Sequence, residues 1–226
     1  MGGRTAGSIA WPLQPIGGST LAPMHLVRFA QLPTHLGPML AAWSDAGVAA
    51  LSRRTDLDAF LSGVLRRIPA GRAAPADGQE ADRLAASINA YLEGGARRIA
   101  ATADLTGLPG FDAEVYRAVM AIPYGATATY GEIAARVGSP RAARAVGNAM
   151  ARCPLFPLVP CHRVVSATGL GGWGADPSMK RRLLDMERRA VATCGPSRAP
   201  TAGRGRHRPR PPHPRSGRSR RRPGPG

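Results

Sequence analysis

The chain of 226 residues is expected to fold as a small α/β unit followed by a mainly α-helical half, with a loose leader before and a basic tail after. Three observations predict this. Between residues 26 and 51 two short apolar runs flank a turn signal; Thr129-Tyr130-Gly131-Glu132 is a capping box with a second helix start, Ser139-Pro140, soon after it; and residues 196 to 226 hold Pro, Gly and Arg without any apolar period.

Residues 1 to 25 are rich in Gly, Pro and Ser and read as the leader. Met39-Leu40-Ala41-Ala42-Trp43 and Val48-Ala49-Ala50-Leu51, separated by Ser44-Asp45-Ala46-Gly47, predict a hairpin. Thr55 to Arg67 carries Leu57, Phe60, Leu61 and Val64 at helical spacing, with acids early and arginines late, as the helix dipole favours. A Gly/Ala/Pro-rich loop over 69–78 precedes a second helix over 80–93. These elements make up an α/β domain over 26–105.

The following domain, 106–193, opens with a helix from Asp112 to Ala121, stopped before Pro123 and followed by a turn at Tyr124-Gly125. The capping box starts a short helix through Val137, which Gly138 closes. Ser139 at the cap and Pro140 in the first turn start another, to about Arg152, with Arg141 and Arg144 outward and Ala142, Ala143, Val146, Gly147 and Met150 small or apolar. Two short helices about a glycine turn outline a helix-turn-helix, although the same outline fits an ordinary helical hairpin. Asp176-Pro177 starts the last helix, and 194–226 is expected to be a disordered tail.

The 31 Lys+Arg against 14 Asp+Glu give +17, and removing the ten arginines of 196–226 still leaves +7 for residues 1–195. A basic folded part favours an anionic partner. Lys180 is the only lysine, so arginine carries the charge, a fact that a GC-rich coding bias also explains. Cys153, Cys161 and Cys194 form neither a disulfide ladder nor a metal spacing, and the odd count leaves a free thiol, as in a reducing cytoplasm. No stretch approaches the roughly 20 apolar residues of a membrane helix. The expectation is a cytoplasmic protein with no membrane partner and no bound metal.

Pro160-Cys161-His162-Arg163-Val164 carries the chemistry. An isolated free cysteine is more often a small buried hydrophobe than a nucleophile, and Cys153 and Cys194 fit that description. Cys161 differs in having His162 beside it. A thiol attacks as thiolate, which a nearby base makes accessible near neutral pH. Successive side chains point in different directions, so a bridging water is expected between the pair. On the last helix Glu187 follows Leu183 and Leu184 by one turn. It is either a solvated acid beside Arg188 and Arg189 or a buried acid with a partner, for which His162 is the natural choice.

Residues 111–189 resemble the O6-alkylguanine-DNA alkyltransferases, suicide proteins that repair alkylated guanine. The resemblance rests on Ile122-Pro123-Tyr124-Gly125, Thr129-Tyr130-Gly131-Glu132-Ile133-Ala134, Arg144-Ala145-Val146-Gly147-Asn148-Ala149-Met150, Pro160 to Val165, Gly171-Gly172-Trp173, and Lys180 to Glu187, in that order. Residues 34–65 are similar, more weakly, to the family's N-terminal domain. The resemblance implies a ribonuclease-H-like first domain and a winged helix-turn-helix-like second. It implies a single-turnover methylated-DNA-[protein]-cysteine S-methyltransferase with no cofactor or metal, a monomer acting on double-stranded DNA that contains O6-alkylguanine, or O4-alkylthymine, and nucleoid-associated when bound.

The same resemblance assigns roles. Cys161 would accept the alkyl group, His162 would act through water as its base, and Glu187 would orient the imidazole. Tyr130 would crowd the phosphates and donate a proton toward the leaving guanine. Arg144 would fill the stack vacated by the flipped base, with Arg141, Ala145 and Gly147 also on the DNA, in the minor groove. Met150, Trp173, Val164 and Pro160 would line the alkyl pocket, and carbonyls of 161–164 would read the guanine edge. Cys153, before Pro154, stands where the family has asparagine; Gly174-Ala175-Asp176-Pro177 lacks the usual glycine pair; and Trp173 replaces a tyrosine or phenylalanine. An alkyltransferase-like protein that binds lesions without repairing them is the alternative, but such relatives replace the acceptor cysteine, which is present here. A cysteine hydrolase would need an oxyanion hole and cleft that the sequence does not suggest.

Overall fold

The computed structural model describes residues 26–68, 72–173 and 176–193; the leader, the tail with Cys194, and Gly174-Ala175 lie outside the described residues. A four-stranded sheet is built from β1 (Leu26–Thr34), β2 (Gly37–Ser44), β3 (Gly47–Ser52) and β4 (Arg72–Pro75), in the order β3-β2-β1-β4. β2 is antiparallel to both neighbours, and β4 runs parallel to β1.

β2 is buried from Met39 to Ser44 because both faces of the sheet are covered, which is why it reads as a continuous apolar run. Its side chains still alternate. Ala41 and Trp43 join the main core, while Ala42 packs with Val27, Ala49, Ala50, Val64 and Ile68 under α1 (Leu57–Arg67). A bulge pairs Ala42 with Ala50 and Trp43 with Val48, so Ala49 is the extra residue on β3 and two successive alanines face α1. The expected hairpin is therefore present. Gly47, at φ 136°, closes its turn, and a Cβ there would lie 2.4 Å from the Thr102 carbonyl oxygen, so no other residue fits this approach.

Two strands depart from the sequence reading. β4 occupies part of the loop expected over 69–78; Arg72-Ala73-Ala74-Pro75 has no strand pattern of its own and is held by parallel pairing to β1 (Leu26↔Arg72, Val27↔Ala73). β1 was legible only as a change of pattern at Leu26. Its Arg28 is bound by Glu80 at 2.9 Å, from α2 (Gly78–Leu92). α1 and α2 begin at Asp56 and Asp77, whose carboxylates accept the Ala59 and Gln79 N–H groups.

The second half holds α3 (Gly110–Met120), α4 (Tyr130–Arg136), α5 (Ala143–Arg152) and α6 (Pro177–Thr193). Two short parallel strands, β5 (Ala128–Thr129) and β6 (Val164–Val165), pair Ala128 with Val164 and Thr129 with Val165. The capping box at α4 is complete: Thr129 Oγ1 accepts the Glu132 N–H at 3.1 Å and Glu132 accepts the Thr129 N–H at 2.6 Å. α5 starts later than the Ser139-Pro140 signal predicts. Residues 139–142 form a turn closed by the Ala142 N–H on the Ser139 carbonyl at 2.8 Å, and Arg141 therefore sits in the turn rather than on the helix. Asp176 caps α6 through the Met179 N–H.

One apolar cluster runs from Leu32 and Tyr91 in the first half to Val115, Ile133, Val146, Leu155 and Cys161 in the second. The halves are also tied by the Leu51 N–H on the Pro154 carbonyl at 2.7 Å. α3 and α5 are joined by Tyr116, which donates to the Ala149 carbonyl at 2.9 Å, and by the Arg152–Asp112 ion pair at 3.0 Å. Among the described residues no helix is long and apolar enough to cross a membrane.

Candidate active site

Cys161, His162 and Arg163 form a single 3-10 turn between Pro160 and β6, and all three are buried. A 3-10 turn places consecutive side chains about a third of a turn apart, so the thiol faces one way while the imidazole and guanidinium reach the opposite side. There they meet Glu187, on the inner face of α6 and without solvent exposure.

Glu187 is saturated with donors. Its carboxylate accepts His162 Nε2–H at 2.7 Å, Arg163 Nε–H at 3.0 Å and Nη2–H at 3.0 Å, the Gly125 N–H at 2.8 Å, and the Tyr91 hydroxyl. Arg163 also donates to the Ile122 carbonyl at 2.7 Å. Despite the burial, which alone would raise it, these bonds, His162 foremost, hold the Glu187 carboxyl down at about 2. The His162 imidazole is pushed below its ordinary value by burial, with the positive charges of Arg163 and Lys180 adding to this and Glu187 opposing it. The ring is thus neutral with its proton on Nε2. Nδ1 is buried, carries the lone pair, and has no hydrogen-bond partner among the described residues.

These two shifts make acid stability a test of the network. Unfolded His and Glu take up protons at about 6.5 and 4.5, above the values of the folded groups. The unfolded state therefore binds more protons as pH falls, and stability present above pH 6.5 is lost toward pH 2. Glu187 alone accounts for on the order of 3 kcal/mol. Urea unfolding followed from pH 7 to pH 3 should show this fall; a flat profile would contradict the network.

On the other face the Cys161 thiol is at the floor of a cavity of about 620 Å³, lined by Tyr130, Arg144, Gly147, Met150, Cys153 and Trp173 among others. Contact with the Cys153 sulfur and burial push the thiol well above its ordinary value, and the charge of Lys180 works in the other direction. Lys180 is itself buried. It donates to the Val164 carbonyl at 2.7 Å and the Gly172 carbonyl at 3.2 Å, sits 6.0 Å from the Tyr130 ring and 5.8 Å from that of Trp173, and burial lowers it to about 8. Tyr130 donates to the Gly172 carbonyl at 3.4 Å and is kept protonated by burial and by Cys161. Phe156 and Trp173 stand edge-on to the His162 ring at 6.1 and 6.2 Å.

The structure thus brings Cys161, His162, Glu187, Tyr130, Gly147, Met150, Trp173 and Arg144 to one place. α5 achieves this with helical spacing: Val146 and Ala149 face the core, Ala143, Gly147 and Met150 the cavity, and the exposed Arg144 its edge, while Ala145 is exposed and does not line the cavity. Arg141, exposed in the preceding turn, does not line the cavity. Two expected pocket residues are elsewhere. Val164 is fully buried because its side chain belongs to the core behind β6, and Pro160 lines a separate cavity of about 170 Å³ with Tyr91 and Arg163. Of the carbonyls expected to face a ligand, that of Cys161 accepts the Val164 N–H and that of Val164 accepts Lys180. Sequence reasoning missed Tyr91, Arg163 and Lys180 as site residues, and Arg53 on the cavity rim. Only Arg163, next to His162, carried a local signal. No group of three or more His, Cys, Asp or Glu among the described residues is placed to hold a metal ion.

Comparison with known proteins places this arrangement. Residues 110–189 match the family model for the 6-O-methylguanine DNA methyltransferase, DNA binding domain. The chain is similar to the methylated-DNA–protein-cysteine methyltransferase of Mycobacterium leprae, 46% identical over 107 residues, which are 47% of this chain and 64% of the relative. It is also similar to the bifunctional transcriptional activator/DNA repair enzyme Ada of Escherichia coli, 34% identical over 76% of this chain and 47% of Ada. The matched stretch therefore spans less than two thirds of these curated relatives. The crystal structure of Mycobacterium tuberculosis O6-methylguanine methyltransferase is 32% identical with TM-score 0.59, covering 73% of this chain and 94% of that one. Its counterpart in complex with DNA gives TM-score 0.56 at the same identity, over 74% and 94%. With 32% identity over an alignment that covers 94% of a solved relative, and the motifs of 110–189 gathered at one thiol, the chain belongs to the O6-methylguanine methyltransferase family.

Proposed function

We propose that this protein repairs DNA by moving the alkyl group of O6-alkylguanine irreversibly to the sulfur of Cys161. One observation carries the reading: a thiol on the floor of an open cavity is backed by a neutral histidine whose Nε2–H is committed to Glu187 and whose Nδ1 is left as a base.

Because the Cys161 thiol is raised, it rests protonated and must be activated as it reacts. His162 takes the proton through a water, while Glu187 and Arg163 hold the ring in the one tautomer that leaves Nδ1 open. Lys180 stabilises the thiolate that results. Attack on the alkyl carbon forms a C–S bond and breaks the C–O6 bond, and Tyr130 donates a proton toward the departing guanine. The thioether is inert to water, so one molecule repairs one lesion.

The alkyl group on O6 is inside the duplex, and the base must rotate out to reach Cys161, at a cost of a few kcal/mol. Arg144, at the edge of the cavity, and Ala145, exposed beside it on α5, are the residues that meet the minor groove, and Arg144 fills the vacated stack. In this reading residues 26–105 are a ribonuclease-H-like domain and 106–193 a winged helix-turn-helix-like domain, and the protein acts as a monomer in the cytoplasm.

The test is a duplex oligonucleotide with O6-methylguanine labelled in the methyl carbon. Label should pass to the protein up to one equivalent and stop; tight binding without transfer would support the lesion-binding alternative instead. Arg144→Ala should slow transfer from duplex DNA roughly tenfold or more, the range of a lost positioning contact, and impair reaction with free O6-benzylguanine less. Equal losses on both substrates would remove its flipping role.

A further inference from the structure

Cys153 is the residue that the proposed mechanism leaves unused. It ends α5, half-buried, and shares the cavity and the core cluster of Cys161, whose thiol it pushes up. Both sulfurs line the main cavity and belong to the same apolar cluster. Cys153 also lines a second cavity of about 460 Å³ on the far side, between β3, α1 and α3, with Leu51, Phe60, Val64 and Tyr116. It is thus a shared wall, reachable by a small molecule without crossing the α5 face.

We propose that Cys153 is an oxidation site, and that on meeting a peroxide it forms an intramolecular disulfide with Cys161. Cys153, the more exposed of the two, is oxidised first: its sulfur attacks hydrogen peroxide, the O–O bond breaks, and a sulfenic acid forms with loss of water. Cys161 then attacks that sulfur, the S–S bond forms, the S–OH bond breaks, and the hydroxide leaves as water with the Cys161 proton. Two electrons pass from the two thiols to one peroxide, with two waters as product. A dithiol reductant reverses the step by exchange.

The consequence follows from the oxidation ladder. A lone Cys161 thiol that meets excess peroxide proceeds to sulfinic acid, which reductants do not repair. A thiol captured by Cys153 is silent but recoverable. In a protein that can use its sulfur only once, a reversible cap preserves the acceptor.

Both cysteines lie in one tryptic peptide, Cys153 to Arg163, since Arg152 precedes it and Arg163 ends it. The full chain, reduced and then treated with hydrogen peroxide, should yield this peptide lighter by two hydrogens and closed to thiol alkylation, and dithiothreitol should reverse the change. Finding both thiols free, both oxidised separately, or either one joined to Cys194 would overturn the proposal. Methyl transfer should be lost with the disulfide and return with dithiothreitol, whereas Cys153→Ser under the same treatment should lose it without recovery; full recovery by the variant would also overturn it. The activity readout rests on the proposed function, but the peptide mass does not, so failure of either reading is distinguishable from failure of the other.

Discussion

Cys161→Ala is expected to lose alkyl transfer altogether while duplex DNA binding stays within a few-fold of the parent. In the proposed reaction the sulfur forms the new bond, so its removal leaves nothing for the cavity to position. In the proposed reading binding is supplied elsewhere, by Arg144 at the edge of the cavity, by the exposed Ala145 and by the net positive charge of the chain. Stability should change little, because the side chain is small and already next to open volume. Gel-shift titration beside a transfer assay reads both quantities. A variant that still takes up methyl label would mean that another group is the acceptor.

Glu187→Ala is expected to lower the unfolding free energy by about 3–5 kcal/mol, the range for removing one partner of a buried ion pair. Five donors from Tyr91, Gly125, His162 and Arg163 converge on that carboxylate, and those of Tyr91, His162 and Arg163 are buried. Arg163 is left as an uncompensated charge, and His162 loses the acceptor that fixes its tautomer. Glu187→Gln keeps the volume and some acceptors but not the charge, and should fall between the two. Against a total stability of about 5–15 kcal/mol, the alanine variant sits near the edge of folding. Urea denaturation measures the loss; a change under about 1 kcal/mol would show that the network is not structural.

The parts of this site that could be read from sequence are those with a local cause. The capping box at Thr129 acts within four residues, and the turn at Gly47 needs a glycine whatever surrounds it. Cys161 and Glu187 were legible because each broke a local rule, a thiol beside an imidazole and an acid on an apolar helix face. Tyr91 and Lys180 were not, because their roles depend on contacts far along the chain: Tyr91 meets His162 across the junction of the two halves, and Lys180 turns inward from α6 to the Val164 carbonyl. α5 begins later than its local signal predicts. Ser139-Pro140 is a good helix start locally, but the turn it forms is closed by the Ala142 N–H on the Ser139 carbonyl. β4 has no strand pattern and exists only because β1 offers an edge.

Cys153 shows how a family resemblance can be specific at the motif and silent on its neighbour. The resemblance marks the position as a departure from asparagine, but only the fold places this thiol in the same cavity as Cys161.

The most direct measurement of the central claim is the location of the transferred group. After reaction with duplex DNA carrying labelled O6-methylguanine, the tryptic peptide Cys153 to Arg163 should carry one methyl group, and fragmentation should place it on Cys161 with Cys153 unmodified. Methyl on Cys153, on Cys194, or on no residue while guanine is nonetheless restored would contradict the account.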